Sequence, residues 1–360
     1  MFWSSSNNSN KTTTALSLVP SGTSPISKVT PEDFTWVCSG AGSETHTIYF
    51  RLTDGTFAFA QFAWAKVSIS TTFQTNVLIA SPGKPIVFET LSNSKMSIGQ
   101  DKISVVSEYI QFIFDPEMKG ATVIYNNNNK KDPITMTITS KFEAAGYKIG
   151  DGYNDIAGGT AMHAFYPRVK VEATLCGKGS TVDGTGTGIF IRAASSKILP
   201  FNIGSRWYLS LTDSPDFYFH VLHYITPEKY GGENISQAAL IRNDKPAVYF
   251  YDNVVEIDKL DDSLNSKYHV PRQIRYTLKG RTEDGKAATL QYTAELTDFV
   301  YEVDVLGQLN RVLKSFVQAI VTSPYIFDFM ENNATLKLCI DGEPEQTMNG
   351  KSFHELSFMD

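Results

Sequence analysis

The first candidates for chemistry in this chain are polar side chains that stand among aromatic residues in two segments, 158–168 and 204–232. His220 and His223 have the spacing of a metal-binding pair on a helix, but the residues around them are typical of a β-strand. Residues three apart on a strand point to opposite faces, so we predict no shared metal site. His220 remains a candidate for a polar group facing a ligand, the alternative being a hydrogen-bonded histidine at a sheet surface.

Three further polar residues could contact a ligand. His163 is the side-chain type that titrates near neutral pH, although a histidine among aromatic residues often has a structural role. Arg168 follows Tyr166 and Arg206 precedes Trp207, and a guanidinium can stack on a ring while it binds a carboxylate, amide or phosphate. The alternative for the arginines is an arginine–carboxylate pair that joins two domains.

No catalytic motif organises these residues. The sequence contains no GxSxG, HExxH or DxDxD pattern. The glycine-rich stretch 182–191, VDGTGTGIFI, resembles a phosphate-binding loop, but strand-like residues follow it where a helix N-terminus would be needed. It predicts instead a hairpin turn at Asp183-Gly184. These patterns predict no catalytic residue and no cofactor.

The elements that must position these side chains are β-strands with apolar residues in alternate positions. Ile134, Met136 and Ile138 alternate with threonines, as in a half-buried strand. The stretch 57–65, FAFAQFAWA, is apolar on both faces and predicts a strand that is covered on both sides or faces a cavity. One late segment has helical spacing and ends at Pro324. Its apolar residues are Leu306, Leu309, Leu313, Phe316, Val317 and Ile320.

Composition narrows the class of protein. Aromatic residues make up 12% of the chain and charged residues only 19%, a balance that suits β-sheets and a cavity lined by rings. The net charge of −6, with no basic run longer than Lys130-Lys131, argues against nucleic-acid binding. The sequence shows no run of 18 apolar residues, no secretory signal and no CxxC pair. We therefore expect a cytoplasmic protein with reduced thiols.

The chain divides into three predicted parts. Residues 1–30 are rich in serine, threonine and asparagine and predict a flexible N-terminal segment. Its tip contains Phe2 and Trp3, two rings that predict weak contact with a membrane interface. The strands that follow predict one β-domain over residues 31–165 and a second over residues 166–360.

Several segments carry, in order, a resemblance to a known family. They are TPEDFTWVCSGAGSETHTIYFRLTDGTFAFAQFAWAKV, GGTAMHAFYPRVKVEATL, VDGTGTGIFIRA, SRWYL, TPEKYGG and SPYIFDFM. Together they resemble the fungal survival factor family, whose proteins are named for survival of oxidative stress and are linked to ceramide transfer. The resemblance covers nearly all of the chain after Pro31.

The resemblance implies an all-β fold of two tandem lipocalin-like antiparallel β-barrels with a short helix in the C-terminal domain. It also implies a non-enzymatic carrier that binds an apolar lipid, ceramide or a related sphingolipid. Such a carrier would move the lipid between endoplasmic reticulum and Golgi, with survival of oxidative stress as its cellular readout. We expect peripheral contact with those membranes and a further pool in the nucleus. The oligomeric state stays open.

On this interpretation rings inside a barrel hold the hydrocarbon chain, and histidine or arginine side chains bind the amide and hydroxyl groups. The predicted ligand-binding residues are Phe59, Trp64, His163, Phe165, Tyr166, Arg168, Arg206, Trp207, His220 and Tyr224. One alternative is a hydratase or cyclase that acts on a terpenoid-type substrate, with His163, His220 or an aspartate near Asp183 as general acid. Another is a stress-response scaffold with filled barrels and no ligand.

Overall fold

The chain folds almost entirely into antiparallel β-strands. The computed structural model describes residues 25–128, 131–156, 158–261, 263–264, 267–308 and 324–359. Within these residues the strands form two separate sheets, and each sheet curls into a barrel. The expectation of an all-β fold with two antiparallel barrels is confirmed.

The first barrel contains the strands β1 to β14. They are β1 (Ile26–Lys28), β2 (Gly42–Leu52), β3 (Phe57–Val67), β4 (Ser70–Ala80), β5 (Val87–Asn93), β6 (Met96–Ile98), β7 (Val105–Ser107), β8 (Ile110–Phe114), β9 (Gly120–Asn127), β10 (Ile134–Phe142), β11 (Tyr147–Ile149), β12 (Tyr153–Ile156), β13 (Gly159–Gly177) and β14 (Ser180–Ser196). Neighbouring strands follow the order β5-β4-β3-β2-β14-β13-β10-β9-β8-β7-β6. The long strands β13 and β14 therefore join two meanders into one wall.

The second barrel contains the strands β15 to β23. They are β15 (Arg206–Asp213), β16 (Phe217–Ile225), β17 (Asn234–Arg242), β18 (Val248–Asp261), β19 (Val270–Thr282), β20 (Ala287–Glu295), β21 (Asp298–Asp304), β22 (Tyr325–Ile340) and β23 (Gln346–Phe358). Their order is β20-β19-β18-β17-β16-β15-β23-β22-β21, and an additional pairing of β20 with β22 closes the barrel.

The division between the two sheets differs from the predicted domain boundaries. The predicted boundary at residues 165 and 166 lies inside β13, which is hydrogen-bonded to β10 and β14 of the first barrel. The first sheet ends at Ser196 and the second begins at Arg206. At the other end, Ile26–Lys28 belongs to the predicted flexible segment but pairs with β11. The alternation of apolar residues in β13 predicts a strand, but it does not indicate which sheet the strand joins.

Helical structure is short in the described residues. Two α-helical turns, α1 (Pro200–Ile203) and α2 (Val305–Gln308), occur, together with two 3-10 turns. The predicted late helix begins within α2, and its apolar residues from Leu309 to Ile320 lie outside the described residues, as do Phe2 and Trp3. No helix in the described part of the chain is long and apolar enough to cross a membrane.

Side chains fill the interior of each barrel. Alternate residues of β3, such as Ala60 and Phe62, point into the first barrel, where they join one large hydrophobic cluster. A second cluster, which includes Phe219, Leu290 and Phe329, fills the second barrel. Because these side chains are almost fully excluded from solvent, the barrel interiors serve as packed cores.

The glycine-rich segment lies within β14 and not at a turn. The predicted hairpin turn at Asp183-Gly184 is wrong, because these residues pair with Thr174 and Ala173. The hairpin closes instead at Lys178 and Gly179, whose φ angles of 49° and 71° suit a type I′ turn. At Gly186, a Cβ atom would lie 1.9 Å from the Arg51 carbonyl oxygen, so the glycine permits close approach to β2.

The two barrels meet across a third hydrophobic cluster, to which strands of both barrels contribute. The rings of Phe57 and Phe353 stack across it with centroids 3.9 Å apart. An ion pair of 2.7 Å joins the Nε of Arg51 to the Oδ1 of Asp213 at its edge. The outward face of β3 is therefore buried by the second barrel, which explains why FAFAQFAWA is apolar on both faces.

Candidate functional site

A cleft of about 310 Å³ lies between the two barrels. One wall is the outer face of β2 to β5, and the opposite wall comes from β21, β22 and β23. The segment 199–201, which follows the first sheet, covers part of it. Its main apolar lining residues are Phe59, Trp64, Val67, Phe88, Leu199, Pro200, Phe201, Val303, Val305, Pro324, Ile326 and Met359.

Aromatic contacts fix the shape of the cleft. The Phe59 ring lies 5.3 Å from that of Tyr49 on the neighbouring strand, and Phe88 contacts Tyr301 of the second barrel at 5.1 Å between centroids. Ala63 and Ala65 alternate with larger residues on β3 and leave free space beside the cleft. The volume is at the lower end of the range for ligand pockets, roughly 300–1,000 Å³.

A row of hydrogen-bonded side chains crosses the wall that the first barrel contributes. Thr47, Gln61, Asn76 and Thr90 occupy directly opposed positions on four adjacent strands. The Gln61 amide donates to the Thr47 hydroxyl at 2.9 Å, and the Asn76 amide donates to Gln61 Oε1 at 2.8 Å. The Thr90 hydroxyl donates to Asn76 Oδ1 at 3.0 Å. This uncharged polar row holds its amides in fixed orientations.

Two carboxyl groups stand on the opposite wall. Asp328 of β22 and Glu355 of β23 are directly paired across the two strands and both line the cleft. Opposed residues of antiparallel strands have Cβ atoms about 4.5–5.5 Å apart. The Tyr49 hydroxyl donates to Glu355 Oε2 at 3.3 Å, whereas Asp328 Oδ1 is buried and has no hydrogen-bond partner among the described residues.

Burial controls the protonation of this acid pair. Burial, followed by repulsion from Glu355, raises the pKa of Asp328 well above its ordinary value. Burial also raises the pKa of Glu355 to about 7, although the hydrogen bond from Tyr49 favours its charged form. Burial and the neighbouring carboxyl groups raise the pKa of Tyr49, so its hydroxyl stays protonated. The wall therefore presents a neutral acid beside a carboxyl group that ionises near neutral pH.

Of the residues predicted from the sequence to bind a ligand, Phe59 and Trp64 line the cleft. The structure corrects the expectation that these rings line a cavity inside a barrel, because the cleft lies between the barrels. Phe59, Phe165 and Tyr224 belong to the cluster between the barrels, whereas Trp64 also packs into the core of the first barrel. Tyr166 lies in that core, where its ring stacks on Phe142 at 3.9 Å.

A second group of predicted residues comes together in the interface but does not line the cleft. The ring of Trp207 stacks on Tyr224 at 4.4 Å, and His163 lies 6.0 Å from each of them. His220 accepts or donates a hydrogen bond of 2.9 Å with the Tyr147 hydroxyl and packs 5.0 Å from Phe165. Burial lowers the pKa of His163 to about 4 and that of His220 to about 3, so both are neutral at pH 7.

His220 and His223 point to opposite faces of β16, as predicted. His220 faces the interface, whereas His223 stacks on Tyr208, a core residue of the second barrel, at 5.9 Å. Because the sheet separates their rings, the two histidines do not share a metal ion.

The two predicted arginines, Arg168 and Arg206, do not line the cleft. Arg168 lies 3.5 Å from Glu143 in its own barrel and donates to Asn243 Oδ1 of the second barrel at 2.6 Å. The structure differs from the alternative of an arginine–carboxylate pair between domains, because the carboxylate lies in the first barrel and the link to the second barrel is to an amide. Arg206 stacks over the rings of Phe358 and Tyr268 at 4.7 and 5.4 Å, so it covers one end of the second barrel.

A model of the Svf1 family matches residues 5–360. The chain belongs to the Svf1 family. Among its relatives, the "Ceramide-binding protein svf-1" of Neurospora crassa is 26% identical over 94% of this chain and 91% of that protein. "Survival factor 2" of Schizosaccharomyces pombe is 24% identical over 89% of this chain and 91% of that protein. The resemblance identified from the sequence is confirmed.

Solved structures share the fold of this Svf1 family member. A putative AttH from Nitrosomonas europaea superposes with a TM-score of 0.61 and 14% identity, covering 95% of this chain and 99% of that one. Kievitone hydratase from Nectria haematococca gives a TM-score of 0.54 and 12% identity, with 97% and 96% covered. At such identities the likeness establishes the tandem lipocalin-like barrel fold and carries no information on activity.

Sequence reasoning missed the acid pair and Tyr49. Asp328 stands in the segment SPYIFDFM and Glu355 in SFHELSF, each as the one acidic residue of a short run rich in apolar residues. One carboxylate within such a run is a signal for a buried polar site. The sequence alone does not reveal that the two strands are neighbours in register.

Proposed function

We propose that this protein binds ceramide, or a closely related sphingolipid, in the cleft between its barrels and releases it unchanged. The observation that carries the proposal is an apolar cleft with hydrogen-bonding groups on both walls: the amide row on one side and the acid pair on the other. A ceramide has the matching chemistry, because an amide and hydroxyl groups join two hydrocarbon chains. The names of the Svf1 relatives as ceramide-binding proteins support the same choice.

Affinity would come from burial of the hydrocarbon. A dissociation constant of 1 μM corresponds to about 8 kcal/mol, and association itself costs at least about 4 kcal/mol. Each buried methylene supplies about 0.8 kcal/mol, so roughly 15 methylenes are needed. One long chain along the apolar wall beside Phe59 and Phe88 therefore suffices, and the second chain can remain outside the cleft.

The cellular role we propose is transport of this lipid between endoplasmic reticulum and Golgi, with survival of oxidative stress as its consequence. Transport requires contact with both membranes, which we assign to the N-terminal tip with Phe2 and Trp3. It also requires a cytoplasmic, peripherally membrane-associated protein, with a nuclear pool as a further expectation. The family resemblance supports these proposals, and deletion of residues 1–24 tests the membrane contact.

The test of the binding site uses one blocked cleft. Ala63 lines the cleft from β3, so Ala63→Trp fills its free volume, whereas Ala287→Trp places the same side chain on β20 of the second barrel as a control. We expect native mass spectrometry, after incubation with ceramide-containing vesicles, to show a one-to-one complex for wild type and A287W. A63W should lose the complex, and solvent extraction identifies the lipid.

Two results would contradict this proposal. If wild-type protein takes up no ceramide, the carrier function is wrong for this chain. If A63W is folded and binds as well as wild type, the ligand lies elsewhere.

The acid pair also favours a second candidate function. A neutral carboxyl group in an apolar cleft can act as a general acid, as a hydratase or cyclase reaction on a terpenoid-type substrate would require. In that case Asp328→Asn would abolish turnover of a terpenoid substrate while binding persists. Unchanged recovery of the extracted lipid after prolonged incubation supports the carrier.

A further inference from the structure

Among the described residues, no lysine, arginine or histidine forms an ion pair with either member of the acid pair on the second barrel's wall, Asp328 or Glu355. The Arg51 guanidinium contacts the sulfur of Met330, two residues along β22 from Asp328, at 3.6 Å. That guanidinium is already engaged by Asp213 at 2.7 Å. Two buried carboxyl groups in direct opposition cannot both be charged at low cost.

Two tyrosines also face the acid pair in the described part of the chain. Tyr49 reaches Glu355 from β2, and burial, followed by the nearby Asp328, raises the pKa of Tyr301 on β21. Both tyrosines are neutral in this environment. The His354 ring, next to Glu355 in sequence, points the other way and bonds to Ser210 at 2.9 Å. Within the described ranges of the chain, no ion pair compensates a negative charge on this wall of the cleft.

We infer that Asp328 and Glu355 hold one proton between them and make the cleft selective for uncharged lipids with amide or hydroxyl groups over lipids with an anionic head group. This inference rests on the proposed function, because it assigns a selectivity to the same cleft. Asp328 keeps the proton, since its Oδ1 has no donor to stabilise a charge. Glu355 is the group that ionises, because Tyr49 donates to it.

The half-ionised pair matches the polar part of an amide–hydroxyl lipid. The protonated Asp328 donates a hydrogen bond to an amide carbonyl, and the Glu355 carboxylate accepts from a hydroxyl or an amide N–H. Binding therefore gives the Asp328 proton an acceptor. An anionic head group meets the Glu355 carboxylate instead. At about 5 Å and an effective dielectric constant near 20, such repulsion changes affinity by roughly 300-fold.

The experiment compares ceramide with ceramide 1-phosphate at pH 7.5. Dissociation constants are measured for the full-length wild type, for the double variant Asp328→Asn with Glu355→Gln, and for Glu302→Gln as a control on exposed β21 surface. Asn and Gln keep the shape of the acids and remove their charge. We expect wild type and E302Q to prefer ceramide by at least about tenfold, since solvent screens part of the repulsion. The double variant should lose most of this preference.

The outcomes separate the two proposals. If wild type binds ceramide and the double variant prefers ceramide over ceramide 1-phosphate to the same extent, the selectivity is wrong and the carrier function stands. A wild type that binds neither lipid overturns both.

A second measurement does not depend on the double variant or on a ligand. At pH 7.5 the infrared spectrum of wild type minus Asp328→Asn should contain the C=O stretch of a protonated carboxylic acid. Its absence would show that Asp328 is ionised and would overturn the shared proton. The matched difference, wild type minus E302Q, should lack this band.

Discussion

Buried carboxyl groups occur in two contrasting places in this protein. In the first barrel Glu44 is ion-paired with Arg192 and accepts hydrogen bonds from the backbone N–H groups of Val37 and Cys38, and the Arg192 guanidinium stacks on the Trp36 ring at 4.7 Å. In the cleft Asp328 has an oxygen without a hydrogen-bond partner and no ion pair among the residues that the structure describes. The first arrangement is complete in itself, whereas the second leaves hydrogen-bonding capacity for a ligand. The comparison separates a structural charge from a functional one.

The strongest test of this comparison replaces one ionisable group in each place. Arg192→Leu leaves Glu44 buried without its cation, and breaking a buried ion pair in this way costs about 3–5 kcal/mol. Asp328→Asn removes a carboxyl group that burial keeps protonated, and it should leave the free energy of unfolding unchanged or higher. Urea unfolding at pH 7.5 measures both. Equal losses in the two variants would mean that the acid pair is as structural as the Glu44 pair.

A somewhat smaller effect should appear in the pH dependence of stability. The folded state raises the pKa of Glu355 to about 7, so it holds a proton that the unfolded chain releases above about pH 4.5. The stabilising contribution is therefore complete below pH 4.5 and is lost as the pH rises to about 7, by at most about 3 kcal/mol.

Buried histidines act in the opposite direction. Because burial lowers the pKa of His163 and His223 to about 4, their contribution is present above pH 6.5 and is lost as the pH falls. The measurement must therefore be the difference between wild type and Glu355→Gln across pH 4–8. We expect E355Q to gain stability relative to wild type as the pH rises, and Glu302→Gln to show no such trend. If the difference in free energy of unfolding between wild type and E355Q does not change with pH, the folded state does not raise the pKa of Glu355.

The smallest expected effect concerns Tyr49. Tyr49→Phe removes the hydrogen bond to Glu355, which contributes about 1 kcal/mol and favours the charged carboxylate. The variant should shift the Glu355 transition to higher pH while changing the free energy of unfolding by no more than about 1 kcal/mol. Carbon-13 NMR of the glutamate carboxyl groups follows the shift. A transition that moves to lower pH would mean that Tyr49 does not donate to Glu355.

Much of the fold could be predicted from the sequence. The alternation of Ile134, Met136 and Ile138 with threonines identifies a strand with one buried face. In the structure these three residues point into the first barrel. The opposite orientations of His220 and His223 follow from the period of two alone. The turn at Asp183-Gly184 was mispredicted, because a dipeptide favourable for a turn also fits a strand in which Gly186 must approach β2 closely.

The candidate site was predicted only in part. Phe59 and Trp64 were found because a strand that is apolar on both faces must be covered twice. Asp328 and Glu355 were missed, because their importance lies in a cross-strand pairing between β22 and β23 that no local pattern encodes. Aromatic neighbours in the sequence made Arg168 and Arg206 candidates for ligand binding. In the structure Arg168 donates to Asn243, and Arg206 stacks on the Phe358 ring.

The sequence by itself determined the strand content and the Svf1 family. These properties depend on residue type and on a period of two, which are local. Only the tertiary structure decided that side chains fill both barrels, that the domain division falls between Ser196 and Arg206, and that the free volume lies between the barrels. These properties depend on which strands become neighbours, and that is set by the packing of residues far apart in the chain.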